Sequence, residues 1–277
     1  MTDPAPSDVD PAAYWERQHE ATTLRAVGQA GLPEELNRWL YRIGRRNVVA
    51  FLARNGLRTL DGLTVFDVGS GTGYWAATWL SMGASRVDGC DFVAGAVERL
   101  REQYPSATFL HGDIAEPGTI PDDRAYPFVT TMNVLLHILD DDRFDAAAIN
   151  IAGAVAPGGH LLLAEPALQH PVPVVPRRPG AASLARPLDQ YRRAFEAAGL
   201  EMVDVGASTV VAANPIERGL PDYAKRARRW SSVGRWARRG PRWASATGRV
   251  LSVADRILMR SGQAPSGKLI LFHRPPG

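Results

Sequence analysis

Short apolar segments alternate regularly with helical segments between residues 63 and 166, and this alternation constrains the fold more than any other feature of the chain. The segments predicted as strands read "LTVFDVG", "SRVDGCD", "ATFLHGD", "PFVTTMN" and "GHLLLAEP". Helices are predicted between them at 74–82, 94–103 and 143–155. Strands and helices that alternate at this interval form right-handed crossovers between parallel strands. The sequence therefore predicts an α/β fold with a doubly wound, mostly parallel sheet.

The whole chain divides into four predicted parts, which together form one domain. Residues 1–13 are rich in proline and small residues and predict a flexible arm, whereas residues 14–60 predict a helical cover that includes an amphipathic helix at about 34–54. The core spans 61–166. Residues 167–277 begin with a proline-rich, lid-like segment, then add a helix and the strands "EMVDVGASTVVA" and "GKLILFHR", which bring the sheet to seven strands. An insertion at about 214–262 predicts a cap.

Composition narrows the class of protein. The chain has 277 residues, 45% of them hydrophobic, and one cysteine, Cys90, which excludes an intrachain disulfide framework. No cluster of cysteine and histidine has zinc-like spacing, so no metal site is predicted. No apolar run approaches the roughly 18 residues of a membrane-spanning helix. We expect a cytoplasmic protein.

Charge is divided unevenly along the chain. Up to Glu165 there are 13 Lys and Arg against 22 Asp and Glu, and afterwards there are 19 against 7. Most of the excess lies in 218–260, where "KRARRWSSVGRWARRGPRW" interleaves tryptophans with arginines. Three interpretations stay open for this segment: a solvated helical cap, a pocket wall or membrane-surface patch for an anionic or lipid-like acceptor, and a nucleic-acid surface.

In the segment "VFDVGSGTGYW", Asp67 lies near the end of the first predicted strand. Gly69, Gly71 and Gly73 come directly after it. Glycines at the carboxyl end of a central strand allow a ligand to approach the backbone closely, although a purely structural turn needs similar residues. A carboxylate beside the loop attracts a cationic ligand and repels a phosphate. A dinucleotide fingerprint would need glycine where Tyr74 stands, which disfavours a nicotinamide-dependent oxidoreductase.

Two further acids end the second and third predicted strands. Asp91 can accept hydrogen bonds from a ribose diol, and Asp113 lies within reach of an exocyclic amine on a base. Each alone is compatible with a solvated acid at a strand end. Together with Asp67 they predict a nucleoside ligand.

In motif order, residues 63–166 resemble the class I S-adenosylmethionine-dependent methyltransferases, which have a Rossmann-like fold. The resemblance implies S-adenosylmethionine as cofactor, with its methionine part at the glycine segment, its ribose at Asp91 and its adenine at Asp113. Phe92 and Asn133 are assigned to the same site. The full set of implied cofactor residues is Asp67, Gly69, Gly71, Gly73, Asp91, Phe92, Asp113, Ile114 and Asn133.

The family's acceptor pocket follows the fourth strand, here "TTMNVLLHILDDD". His137 comes one helical turn after Asn133 and is the candidate general base for a hydroxyl acceptor, with a structural, partly buried histidine as the alternative. Residues 140–142 are interpreted as a helix N-cap and first turn rather than a metal cluster. Aromatic residues at 14–15 are expected either to shield the methyl group from water or simply to pack.

The resemblance thus implies a methyltransferase that acts on a small molecule, anionic or amphipathic, most often on oxygen. Insertions between the last two strands commonly shape the acceptor pocket in this family, and the basic segment is expected to do so. Transfer to nitrogen, carbon or a lipid-like acceptor is the alternative, and a nucleic-acid substrate is less favoured. A non-catalytic partner subunit is a further alternative. The acceptor's identity and the oligomeric state stay open.

Overall fold

The computed structural model describes residues 11–19, 23–29, 31–169, 183–211, 220–260 and 267–277. Most of the predicted arm and most of the proline-rich segment lie outside these ranges. The predicted arm is three residues too long at its end, because helix α1 spans Pro11–His19. Proline suits this first helical position, since its missing N–H would have no partner there.

Helices and strands alternate as expected through the core. In chain order the elements are α1 (Pro11–His19), α2 (Leu24–Val27), α3 (Glu34–Arg54), β1 (Thr64–Val68), α4 (Tyr74–Ser81), β2 (Arg86–Asp91), α5 (Ala94–Gln103), β3 (Phe109–His111), β4 (Tyr126–Met132), α6 (Asp141–Gly153), β5 (Val155–Leu168), β6 (Arg186–Pro187), α7 (Leu188–Ala197), β7 (Glu201–Ala207), α8 (Leu220–Ala237), α9 (Pro241–Met259) and β8 (Gly267–His273). A single 3₁₀ turn, Leu135–His137, follows β4.

One sheet organises the molecule, with strand order β3-β2-β1-β4-β5-β8-β7. Strands β1 to β5 pair in parallel, and β8 runs antiparallel to both β5 and β7. The two-residue strand β6 pairs with β5 beside this path and is an addition to the seven strands predicted. The prediction of a doubly wound, mostly parallel sheet is confirmed.

Helices bury both faces of the sheet, which explains why its strands read as continuous apolar segments. Along β5, Leu161 and Leu163 belong to the core on the side of α6 and α7, whereas Leu162 packs on the opposite side with residues of α3 and α4. Side chains alternate between faces along a strand, so one apolar run supplies both cores.

The basic segment folds as two helices, α8 and α9, with the break at Gly240–Pro241 that the sequence indicates. They pack on α3 through a separate apolar cluster that includes Leu36, Ala237 and Ala244. Among the described helices, none is long and apolar enough to cross a membrane.

Candidate active site

A cavity of about 530 Å³ opens at the carboxyl ends of β1, β2 and β4, within the size range of small-molecule sites. Its walls come from the glycine loop after β1, the residues after β2 and β3, the loop after β4, and helices α1 and α3. The predicted site residues that line it are Gly69, Gly71, Asp91, Phe92, Asp113, Ile114, Asn133 and His137. The fold therefore brings together eight of the ten predicted residues.

The three loop glycines all have positive φ values, of 68°, 54° and 76°. At Gly71 the nearest atoms to an added Cβ would be 3.7 Å away, on His19 and Val27, so this backbone faces the open cavity. Gly73 is different, because it precedes α4 and a Cβ there would approach Leu100 to 2.9 Å. Gly73 does not line the cavity, and its lack of a side chain leaves room for Leu100 of α5.

Asp67 is likewise outside the lining of the cavity. Its side chain is buried beneath the glycine loop, and its Oδ1 accepts a hydrogen bond from Thr130 Oγ1 at 2.6 Å. Burial raises the pKa of Asp67 to about 7, although the bond from Thr130 lowers it. Because side chains alternate along β1, Asp67 shares a face with Val65, which packs in the core beside α3 and α4. The Asp67 side chain thus bonds to β4 and does not line the cavity.

Asp91 is the fixed carboxylate of the cavity. Its Oδ2 accepts the Gly71 N–H at 2.8 Å and its Oδ1 accepts the Val93 N–H at 3.0 Å. Burial raises the pKa of Asp91, and the two backbone bonds oppose that shift. Each carboxylate oxygen can accept a second hydrogen bond, so Asp91 can hold a diol while also fixing the loop.

Helix α1 covers this part of the cavity. His19 is buried over Gly71, and its Nδ1 lies 3.4 Å from the guanidinium of Arg99 on α5. Burial lowers the pKa of His19, nearby Asp91 raises it, and Arg99 lowers it. Trp15 and His19 both line the cavity, so α1 forms part of its wall.

Asp113 lies at the rim, with its carboxylate already engaged. Its Oδ2 is 2.9 Å from Arg143, and its Oδ1 accepts the Ala115 N–H at 2.9 Å. Arg143 also pairs with Glu116 at 2.8 Å and lines the cavity. Arg143 is not among the residues predicted from the sequence, where its one signal is its position on the first turn of the helix that the Asp140 cap begins.

The loop after β4 carries His137 and begins at Asn133. Asn133 has φ of 62°, the one positive value outside glycine among the described residues, and its N–H donates to the Ala164 carbonyl at 2.8 Å. Strained backbone of this kind concentrates at functional sites. As predicted, Asp140 is an N-cap, because its side chain accepts the Arg143 N–H at 2.9 Å.

Two buried charges that the sequence analysis missed hold this loop in place. Glu165 accepts the N–H groups of Val134, Leu135 and Leu136 at 2.8, 2.9 and 3.2 Å. Burial raises the pKa of Glu165 to about 7, and the backbone bonds oppose the shift.

Arg186 braces the same loop from its other end. It is fully buried, lies over the ring of Phe144 with 4.2 Å to the ring centroid, and donates to the carbonyls of Leu135 and Asp140 at 3.4 Å and to Asp141 Oδ1 at 3.0 Å. "AEP" at the end of β5 and "LARP" before α7 are unremarkable as sequences, so only spatial proximity reveals these roles.

The expectation that the basic segment shapes the pocket is not met by the described side chains. No described side chain of α8 or α9 lines the cavity, because both helices pack on the outer side of α3. The side chains of Lys225 and Arg226 lie outside the described set. Within that set, no group of three or more His, Cys, Asp or Glu could hold a metal ion.

The chemistry of the cavity fits S-adenosylmethionine. Gly71 offers open backbone, Asp91 a fixed diol acceptor, and Phe92 and Ile114 flank the region where a base would lie. The aromatic cover of Trp15 suits an apolar, water-excluding environment for a sulfonium.

Comparison with known proteins agrees with this geometry. A family model described as a methyltransferase domain matches residues 65–159. O-methyltransferase cnsE of Penicillium expansum is 26% identical over 200 residues, covering 69% of this chain and 65% of that protein. A Mycolicibacterium smegmatis protein described as an S-adenosylmethionine-dependent methyltransferase is 30% identical over 136 residues, covering 49% of this chain and 48% of that protein. The chain thus spans about two thirds and about half of these curated relatives.

A solved structure from Galdieria sulphuraria, described as a sarcosine dimethylglycine methyltransferase, superposes with a TM-score of 0.52 at 17% identity, covering 83% of this chain and 85% of that one. This likeness establishes the fold. The chain therefore carries a methyltransferase domain of Rossmann-like fold. The core at residues 65–159 is its methyltransferase domain, and S-adenosylmethionine is its cofactor.

Proposed function

We propose that this protein transfers a methyl group from S-adenosylmethionine to a hydroxyl group of a small-molecule acceptor, with His137 as general base. The observation that carries the proposal is that His137 and Asp91 line the same cavity of about 530 Å³. The cofactor side and the acceptor side are therefore one continuous space. The name of the fungal relative, an O-methyltransferase, supports oxygen as the acceptor atom.

When bound, S-adenosylmethionine supplies an electrophilic methyl group for in-line displacement. Asp91 holds the ribose, the Gly71 backbone lies beside the methionine part, and Asn133 lines the same cavity. His137 takes the proton that a hydroxyl must lose as its oxygen becomes nucleophilic. Glu165 and Arg186 fix the loop that carries His137, and alignment is the main requirement of methyl transfer.

The wall of the cavity is mainly apolar. Its lining includes Tyr41, Tyr74, Trp75, Met132 and Ile138. Such walls favour an acceptor with substantial apolar surface. A neutral amine nitrogen would use the same cavity without a base in the transfer step, whereas a carbon acceptor has to lose a proton, as a hydroxyl does.

The test combines cofactor binding with turnover. Calorimetry with S-adenosylhomocysteine, alongside NAD in a separate titration, checks the site, and release of S-adenosylhomocysteine against panels of phenols, aliphatic alcohols and amines checks the acceptor. We expect binding of S-adenosylhomocysteine alone and turnover of hydroxyl compounds.

Histidine variants then test the base. His137→Ala should keep cofactor affinity and reduce turnover by about 10² to 10⁴-fold. His160→Ala is the matched control, since His160 lies beside His273 in the first half of β5 and does not line the cavity. If His137→Ala loses cofactor affinity as strongly as it loses turnover, His137 has a structural role. If turnover is unchanged, the acceptor needs no base. Binding without turnover of any acceptor would favour a non-catalytic partner subunit.

A further inference from the structure

The outer surface of α8 and α9 carries nine exposed arginines between residues 228 and 260, and no exposed acid. These are Arg228, Arg229, Arg235, Arg238, Arg239, Arg242, Arg249, Arg256 and Arg260. The acid in this range, Asp255, is buried and pairs with Arg46 of α3 at 2.7 Å. Within the described part of the chain, none of the nine arginines forms an ion pair with an acid. This surface therefore has a strong, uncompensated positive charge.

An apolar stripe runs along the same surface of α9. It consists of Trp243, Val250, Val253 and Ile257, whose exposed fractions are 47%, 68%, 59% and 62%. Their spacings of seven, three and four residues place them on one helix face. The opposite face, with Ala244 and Gly248, is buried against α3, so the stripe is not part of the protein's own core.

Arginines flank this stripe along its length. Arg242, Arg249 and Arg256 each directly precede a stripe residue and repeat every seven residues, so they form a parallel row. At the α8–α9 corner the Trp236 and Trp243 rings lie 5.3 Å apart, and Arg239 lies over Trp236 with 4.2 Å to the ring centroid. Exposed tryptophans next to arginines are typical of helices at a membrane interface.

Helix α9 is held firmly in this orientation. Besides its ion pair with Arg46, Asp255 accepts two hydrogen bonds of 2.8 Å. One comes from Nδ2 of Asn47, on α3, and the other from the N–H of Val210, after β7. A buried carboxylate with these partners ties α9 to two separate elements. The stripe is therefore presented as a fixed surface.

We propose that the surface of α8 and α9 binds an anionic lipid membrane, with α9 lying in the plane of the interface. Aliphatic side chains enter the boundary between headgroups and acyl chains, while the arginine row meets anionic headgroups. Exposed valines and isoleucine add nothing to binding of a nucleic-acid backbone. A second copy of this chain would bring one arginine-rich surface against another without an exposed acid to compensate. The proposal is independent of the methyltransferase activity.

The test is co-sedimentation of the full chain with vesicles of phosphatidylcholine alone or of phosphatidylcholine with one third phosphatidylserine. We expect binding to the anionic vesicles that weakens with salt, and much weaker binding to the neutral ones. Because each arginine near an anionic surface contributes about fivefold in affinity, Arg242→Gln/Arg249→Gln/Arg256→Gln should weaken binding on the order of a hundredfold.

Matched variants separate the surface from general effects. Val250→Ser/Val253→Ser/Ile257→Ser removes the stripe at exposed positions, and Ile149→Ser/Val203→Ser removes two exposed apolar side chains elsewhere. Arg58→Gln/Arg192→Gln/Arg193→Gln removes three exposed arginines outside the surface. We expect loss of vesicle binding in the first variant and in the arginine-row variant, and no loss in the two controls.

Three results would overturn the proposal. These are absence of binding to anionic vesicles, equal binding of the stripe variant and the parent, and equal loss in the controls. A short duplex DNA serves as a competitor probe. If it is bound tightly by the parent and by the stripe variant alike while vesicles are not, the surface binds nucleic acid instead.

Discussion

The indole of Trp15 meets the imidazole of His137 edge-on, with the ring centroids 4.8 Å apart and the planes at 76°. This contact joins α1, at the start of the described chain, to the loop after β4. Since His19 on the same helix lies beside Asp91, α1 spans both the cofactor half and the acceptor half of the cavity. The cover and the proposed base are thus one packed unit.

Removing this aromatic cover should weaken ligand binding. We expect Trp15→Ala to lower the affinity for S-adenosylhomocysteine about tenfold, because an aromatic contact of this kind contributes on the order of 1 kcal/mol beyond buried area. Calorimetry measures the change. Tyr14→Ala is the control, since Tyr14 contacts Trp15 but does not line the cavity. Equal effects of the two variants would show that α1 acts only through its own stability.

The two strand-end acids should differ sharply in importance. Asp91→Asn should reduce affinity for S-adenosylhomocysteine by roughly a hundredfold, because charge-assisted hydrogen bonds of a buried carboxylate are lost. Asp113→Asn should change it by less than about fivefold, since Asp113 is 43% exposed and already pairs with Arg143. Titration calorimetry of both variants measures the two affinities. Similar losses of affinity would show that Asp113 contributes as much to cofactor binding as Asp91.

Gly69 tests whether the glycine loop needs small residues for packing as well as for conformation. Gly69 and Gly118 both have positive φ, of 68° and 78°, but an added Cβ meets Val134 at Gly69 and nothing within 4 Å at Gly118. Alanine at either site costs about 1–2 kcal/mol in backbone strain. We expect urea unfolding to show a clearly larger loss for Gly69→Ala.

Val134→Ala supplies the check on that interpretation. Added to Gly69→Ala, it should recover part of the extra loss by making room for the new methyl group. If the double variant is less stable than Gly69→Ala by the full cost of Val134→Ala, the collision is not the cause.

Glu165 should make stability depend on pH. Folding raises its pKa from 4.5 to about 7, so the folded state favours the protonated form. The stabilisation that protonated Glu165 gives the folded state is fully present below pH 4.5 and is lost as the pH rises through 7. The free energy of unfolding changes by roughly 3 kcal/mol over this range.

The variant Glu165→Gln does not titrate at this position. The difference in unfolding free energy between parent and variant, measured in urea at pH 5 and pH 8, should therefore shift in favour of the variant at the higher pH. Glu196→Gln, at an exposed position on α7, should leave the pH profile unchanged. A constant difference for Glu165→Gln would show that the folded protein does not raise the pKa of Glu165.

The amino-acid sequence alone was sufficient to predict the order of strands and helices in the core, because apolar periodicity and glycine turns act over a few neighbouring residues. It also predicted that Asp91, Asn133 and His137 lie close together, and all three line one cavity at the edge where the carboxyl ends of neighbouring parallel strands meet.

Only the tertiary structure decided which of the predicted residues line the cavity. Asp67 turns under the loop because of strand alternation, and the surface of α8 and α9 faces away from the cavity because both helices pack on α3. Glu165 and Arg186 support the His137 loop through contacts between residues about 30 and 50 positions apart in sequence. Such contacts depend on the packing of distant segments, which no local pattern of residues encodes.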